Sequence, residues 1–230
     1  MHVPDGFLDA PTSVATGVVA AAGVAVALRG ARRELDDRTA PMAGLVATFV
    51  FAAQMINFPV GAGTSGHLMG GALAAVLVGP WSALLCLAVV LLVQALLMAD
   101  GGITALGTNV TLIGIVTVAV GWTVFALLRR VLPQRVSMVA PAAAVGAFVS
   151  VPVAALVFTL LFAVGGQAPV DLPTVLAAML GWHTVIGLGE AVVTGLVVAS
   201  VVAARPDLVH GAAPLLAERT LEIRTTEVAR

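Results

Sequence analysis

The chain has 230 residues, of which 60% are hydrophobic and 10% are Asp, Glu, Lys or Arg, and its formal net charge is −1. A soluble domain carries roughly a quarter of its residues as these four charged types, so this composition excludes a soluble globular protein and indicates lipid as the main solvent. The sequence has no lysine and a single cysteine, Cys86, which excludes a P-loop, a Schiff-base lysine, an intrachain disulfide and a cysteine zinc cluster.

Apolar stretches of about 20 residues, the length that crosses a bilayer as a helix, follow one another along most of the chain. They predict seven spans, at residues 11–29, 41–60, 65–79, 81–99, 103–128, 138–164 and 174–204. The third span is short and ends at Gly79-Pro80, so length alone supports it least. We therefore predict an all-helical bundle that forms one transmembrane domain over residues 1–204, followed by a tail at 205–230.

The eleven arginines fall in three groups, at residues 29–38, 129–135 and 205–230. Basic residues favour the cytoplasmic side of a membrane, so an even number of spans must separate each group from the next. Seven spans satisfy this rule and six do not. The predicted N-terminus is therefore outside the cell (plasma or inner) membrane, and the predicted tail is cytoplasmic.

The first residues carry groups that can chelate a metal ion. The N-terminus lacks the basic stretch and cleavage site of a secretory signal, so Met1 is expected to remain as the external N-terminal residue. Its amine, the backbone nitrogen of His2 and the imidazole of His2 can close two small chelate rings around one ion. His67, in the Gly-rich stretch 61–67, lies at the same predicted outer end and can supply a fourth nitrogen.

Four nitrogens in a square-planar arrangement suit Ni²⁺ and Cu²⁺, whereas structural zinc prefers tetrahedral coordination. The ligands must lose their protons to bind, so capture is expected to weaken below about pH 6. The alternative interpretation is an exposed His2 and a His67 that caps a loop by hydrogen bonding.

Five blocks of sequence resemble, in the same order, the nickel/cobalt substrate-capture (S) subunits of energy-coupling factor (ECF) transporters. They are MHVPDGFL at 1–8, FVFAAQMINFPV at 49–60, SGHLMGGALAAVLVGPW at 65–81, LVQALLMADGGITALGTNV at 92–110 and HTVIGLGEAVVTG at 183–195. The most specific part is the MHxPDG opening with SGH downstream. The Pro-Asp that follows the first three residues is closer to the nickel branch of this family than to the cobalt branch, although the ligand types accept either ion.

The resemblance implies that the metal is held by the Met1 amine, the backbone nitrogen and imidazole of His2, and the imidazole of His67, with residues 1–9 folded into the outer face of the bundle. It also implies an ATP-driven importer with a transmembrane coupling (T) subunit, ATPase subunits and, in many cases, a small accessory membrane subunit. Ni²⁺ or Co²⁺ is then the transported ligand. We expect no organic cofactor, no enzymatic activity of the chain itself and no nucleic-acid partner.

Other polar residues near the predicted outer face are weaker candidates for orienting the imidazoles. Ordinary packing or helix capping explains them equally well. They are Gln54, Asn57, Thr64, Ser65 and, around the Gly101-Gly102 turn, Asp100 and Asn109.

His183 and Glu190 lie seven residues apart on the last span and so share one helical face, which makes them a candidate intramembrane polar pair. The pair is either a structural lock between helices or a proton path. A proton path would belong to an alternative function, a stand-alone ion-coupled secondary carrier of a divalent transition metal. An intramembrane metalloenzyme is disfavoured, because the sequence has no H-E-x-x-H motif.

Overall fold

The computed structural model describes residues 1–37, 39–61 and 64–216, and for residues 61 and 64 it describes the backbone alone. The α-helices with both ends within these residues are, in chain order, α1 Ala10–Gly30, α2 Ala40–Gln54, α3 Gly71–Val78, α4 Pro80–Leu97, α5 Leu106–Asn109, α6 Thr117–Val131, α7 Val139–Gly165 and α8 Leu172–Ala204. A π-helical stretch, Val110–Val116, joins α5 and α6 into one continuous helix.

Five helical segments in the described part of the chain are long and apolar enough to cross a membrane. They are Ala10–Arg33, Pro80–Leu97, Leu106–Val131, Val136–Gly165 and Leu172–Ala204. The prediction of a multi-pass helical membrane protein is confirmed. The other two predicted spans contain shorter helices, since α2 has 15 residues and α3 has 8.

The chain between α2 and α3 is not helical, so the structure differs here from the limits predicted for the second and third spans. Strand β1, Phe58–Gly61, pairs antiparallel with β2, Thr64–Gly66. Pro59 has no N–H to donate within a helix, and Gly61 loses more conformational entropy in a helix than other residues do. The second predicted span therefore ends its helix at Gln54 rather than at residue 60, and the third begins as a strand.

The two ends of α1 mark the two ends of the bundle. At its start, the Asp9 N–H donates to the carbonyl of Gly165, 2.7 Å away, and the Asp9 carboxylate caps the helix. Beyond its end, the Glu34 carboxylate accepts from the N–H of Ser82 at 2.7 Å, and Gly79 lies against the same carboxylate. We call these the Met1 end and the Glu34 end.

Helix α3 lies in the centre of the bundle, because each of its eight residues is buried. Glycines allow neighbouring helices to approach it closely: an added Cβ on Gly71 would meet the side chain of Thr117, and one on Gly121 would meet Ala72. This packing fixes the inner part of the segment that begins with His67.

The described part of the C-terminal tail packs back onto the Glu34 end. Val209 and Ala212 are buried, and Gly211 lies against Phe125 of α6 and Val76 of α3. The rest of the predicted tail, from residue 217 onward, lies outside the described residues.

Candidate metal-capture site

The N-terminal segment is folded into the Met1 end of the bundle, where Met1 and Val3 have no exposed surface. The Met1 amine donates a hydrogen bond to the carbonyl of Ser65. The Val3 N–H donates to Oδ1 of Asn109 at 2.7 Å, while Nδ2 of Asn109 donates to the Val3 carbonyl at 3.1 Å. The same carbonyl accepts from the N–H of Gly102 at 2.9 Å. These bonds place the first three residues beside the β2 strand.

His2 and His67 meet in this interior. Their exposed fractions are 4% and 1%, and their rings stack with centroids 4.3 Å apart at an interplanar angle of 23°. The Nε2 atoms of both rings are buried and have no hydrogen-bond partner among the described residues. An unpartnered buried polar atom is costly, and such atoms mark candidate ligand positions.

A hydrogen bond fixes the tautomer of His67. Its Nδ1 lies 2.9 Å from the carbonyl oxygen of Leu68, which can only accept a hydrogen bond. Nδ1 therefore carries the proton, and the lone pair available to a metal is on Nε2.

A carboxylate borders the histidine pair. Oδ1 of Asp100 lies 2.9 Å from Nδ1 of His2, an ion-pair distance, although the two atoms are not aligned as a hydrogen bond. Oδ2 of Asp100 accepts from Nδ2 of Asn57 at 3.1 Å. The contact with His2 holds the pKa of Asp100 below its usual value, so the site contains a negative charge.

The environment of the Met1 amine favours its neutral form. Burial lowers the pKa of this amine from 8.0 to about 4, an effect that the charge of Asp100 partly opposes. An amine must be unprotonated to bind a metal ion, and this one keeps its lone pair at neutral pH.

The remaining candidates from the sequence lie at different distances from the histidines. The Ser65 carbonyl accepts from the Met1 amine, Asn109 bonds to the backbone of Val3, and Asn57 bonds to Asp100. Gln54 has no hydrogen bond to either histidine among the described residues; its Nε2 donates to the carbonyl of Met69 at 2.8 Å. The side chain of Thr64 lies outside the described residues.

His183 and Glu190 are both buried on α8, but the hydrogen bonds of the described residues do not join them to each other. Nδ1 of His183 lies 2.7 Å from the carbonyl of Met179. The Glu190 carboxylate accepts from the N–H groups of Met69 and Gly70. The sequence analysis did not predict this contact between Glu190 and the turn after His67. The only hint in the sequence was an acidic residue in an otherwise apolar helix.

Within the described residues, no group of three or more His, Cys, Asp or Glu side chains is placed to hold a metal ion. A metal site at the Met1 end would therefore have to include donors other than these side chains, such as amine or main-chain atoms. The Met1 amine and the two histidines are a donor set of this kind.

Together, the fold and this buried cluster define a multi-pass helical membrane protein with nitrogen donors enclosed at one end of the bundle. The chain belongs to the family described as the cobalt uptake substrate-specific transmembrane region (CbiM), whose family model matches residues 2–208. The family resemblance seen in the sequence is confirmed.

Relatives with transport names support the same assignment. The fused nickel transport protein NikMN of Rhodobacter capsulatus is 36% identical over an alignment 236 positions long, gaps included, that covers 97% of this chain and 68% of that protein. The cobalt transport protein CbiM of Sorangium cellulosum is 42% identical over 133 residues, covering 56% of this chain and 59% of the relative. The crystal structure of a truncated transition metal transporter superposes with a TM-score of 0.82 at 30% identity, covering 89% of this chain and 99% of that one. The chain is thus a membrane protein of the nickel and cobalt transport class.

Proposed function

We propose that this chain is the substrate-binding subunit of an ATP-driven ECF-type importer. It captures Ni²⁺ or Co²⁺ through four nitrogens: the Met1 amine, the backbone nitrogen and imidazole of His2, and the imidazole of His67. The observation that carries this proposal is the burial of the Met1 amine on the carbonyl of Ser65, two residues before a His67 whose Nε2 has no partner among the described residues.

The chemistry of the donors favours a square-planar arrangement. The Met1 amine and the amide nitrogen of His2 close one chelate ring, and that amide with Nδ1 of His2 closes a second, so three nitrogens lie near one plane. Nε2 of His67 completes the square, a geometry that suits Ni²⁺. Nickel is the ion that we favour over cobalt.

The proposed topology has seven crossings, with the Met1 end outside and the Glu34 end in the cytoplasm. The helix ends that carry Arg29, Arg129 and Arg205 support this orientation, because they lie at the Glu34 end. The segment from His67 to Gly79 starts beside Met1 and finishes beside Glu34, so we count it as a crossing although α3 is short.

The energy for transport comes from partner subunits in this proposal. With no lysine, the chain cannot form a P-loop. In the proposed complex, ATPase subunits drive it through a transmembrane coupling subunit. A small accessory membrane subunit is a further expected partner. The Rhodobacter relative is named as a fused protein and extends beyond the region that aligns with this chain.

Calorimetric titration of Ni²⁺ and Co²⁺ into purified protein with a native, untagged N-terminus tests the capture site. We expect one ion per chain, and loss of binding both in His67→Ala and in a form with residues added before Met1. His210→Ala is the matched control, because His210 packs on Trp122 away from the site, and it should bind like the native protein. Equal binding by the extended form would remove the amine from the ligand set.

Uptake of radioactive nickel by cells tests the transport mechanism. Uptake should require co-expression of the coupling and ATPase subunits with this chain. If this chain alone took up nickel, and a protonophore abolished that uptake, the result would instead support the ion-coupled carrier.

A further inference from the structure

We infer that Glu190 is a positioning residue for metal capture, because its carboxylate fixes the turn that presents His67. The inference rests on the proposed capture function. It gives the buried carboxylate of α8 a role in metal affinity rather than in proton transfer.

The contacts of Glu190 are specific. Its exposed fraction is 1%, and its two oxygens accept from the N–H of Met69 at 2.7 Å and from the N–H of Gly70 at 2.9 Å. These N–H groups belong to the residues just before α3, where a helix has no internal acceptors for its first donors. The carboxylate satisfies both and ties the start of α3 to α8.

A second side chain holds the same turn from the opposite helix. Nε2 of Gln54, the last residue of α2, donates to the carbonyl of Met69 at 2.8 Å. Met69 is thus fixed through its N–H by α8 and through its carbonyl by α2. Because His67 also bonds to the Leu68 carbonyl, the position of this short backbone turn determines where Nε2 of His67 lies.

Packing alone does not hold the turn on one side. A cavity of about 650 Å³ lies between α2 and α8, and its walls include His67, Leu68, Ile186 and Glu190. The rest of its lining is apolar or glycine. The hydrogen bonds from Glu190 and Gln54 therefore fix the turn on a side where other protein atoms do not pack closely against it.

The contacts on α8 favour positioning over a proton path. His183, the other polar residue of the candidate pair, bonds to the Met179 carbonyl of its own helix, and no hydrogen bond of the described residues links it to Glu190. Ile186 lies between them and packs against Gly66. The same face of α8 therefore follows the chain from Gly66 to Gly70, the segment that carries His67.

Ni²⁺ titrations and visible absorption spectra of Glu190→Gln and Glu190→Ala test this role in the full chain with a native N-terminus. Gln keeps one accepting oxygen but directs an NH₂ group at a second N–H, and Ala removes both acceptors. Partners of metal ligands typically change affinity about 10- to 100-fold when mutated. We expect the Kd for Ni²⁺ to rise about 10-fold in Glu190→Gln and towards 100-fold in Glu190→Ala, with a shifted ligand-field band.

Thr194→Val is the matched control, because Thr194 is buried on the same helix and its hydroxyl has no partner among the described residues. It should leave the Kd and the band unchanged. Gln54→Met tests the other side of the turn and should raise the Kd about 10-fold, whether or not Glu190→Ala folds.

The outcomes separate the two proposals. In one outcome, native protein binds Ni²⁺ and His67→Ala does not, but both Glu190 variants keep the native Kd and absorption band while their thermal stability falls. Glu190 is then a structural anchor, so the inference is overturned, whereas the capture function stands. If native protein fails to bind either ion, the capture function itself is wrong, and the positioning role falls with it.

Discussion

Nδ1 of His2 lies 2.9 Å from Oδ1 of Asp100. This is the imidazole nitrogen that would close a chelate ring with the amide of its own residue. In this structure, however, it faces a carboxylate rather than His67. To bind an ion shared with Met1 and His67, the ring of His2 must turn away from Asp100. The carboxylate then remains as a negative charge beside a divalent cation.

We expect Asp100→Asn to weaken Ni²⁺ binding. At an effective dielectric constant of about 20, a carboxylate roughly 5 Å from a dication attracts it by several kcal/mol, about twice the attraction of a singly charged imidazole at the same distance. The attraction therefore outweighs the contact that His2 must give up. We predict a rise of about 10- to 100-fold in the Kd, measured by competition with a metal-binding dye.

Asp171→Asn is the control for Asp100, because Asp171 is an exposed helix cap at the same end of the bundle. Asn also caps helices well, so this variant changes the net charge alone. Tighter binding by Asp100→Asn would mean that the carboxylate mainly competes with the ion for His2.

Asn109→Ala should release the N-terminal segment. It removes two buried hydrogen bonds to Val3, each worth about 1 kcal/mol net, and leaves the Val3 N–H without an acceptor. We expect residues 1–9 to lose about 2–4 kcal/mol of protection against local opening, measured by hydrogen exchange of the Val3 amide. Gln167→Ala is the control, since Gln167 holds Phe7 through its backbone N–H. Unchanged exchange in Asn109→Ala would contradict this account.

The buried amine predicts how stability depends on pH. The pKa of the Met1 amine is about 4 in the folded protein, against 8.0 for an exposed amine. Between these values the unfolded chain binds a proton that the folded chain does not, so the free energy of unfolding rises with pH by up to about 1.4 kcal/mol per unit from pH 4 to 8. Above pH 8 this contribution is constant.

Thermal unfolding of detergent-solubilised protein at pH 5, 6, 7 and 8 measures this slope. Other groups also titrate, so the quantity to compare is the difference between native protein and a form with residues added before Met1. The extended form has no amine at this position and should show a smaller rise in Tm with pH. Parallel curves would mean that the Met1 amine is not buried.

The sequence predicts which residues lie together at the Met1 end better than it predicts the connections around them. The chelating ability of Met1 and His2 is a local property of the first two residues, and the Gly-rich stretch 61–67 places His67 at the predicted outer end of a span. The hairpin from Phe58 to Gly66 escaped prediction because hydropathy over about 20 residues does not distinguish an apolar strand from a helix.

Long-range contacts could not be read from the sequence. Glu190 reaches Met69 across 121 positions, and Val3 reaches Asn109 across 106. The periodicity of the sequence predicts whether each of these residues lies on a helix face or in a turn. It does not predict which distant backbone groups the residue will contact. Close packing of the whole bundle decides those contacts.

Gly70→Ala should destabilise the turn that carries His67. Gly70 has φ +81°, a left-handed conformation that costs other residues about 1–2 kcal/mol, and its added Cβ would lie 2.8 Å from both methyl groups of Val50. The turn must shift, so we expect a Tm lower by several degrees and weaker Ni²⁺ binding. Gly181→Ala on α8 is the control, because a Cβ there meets nothing within 4 Å and alanine favours the helix. If Gly70→Ala lowered the Tm but kept native affinity, the position of His67 would not depend on this turn, and the geometry of capture would have to be set from the Met1 side.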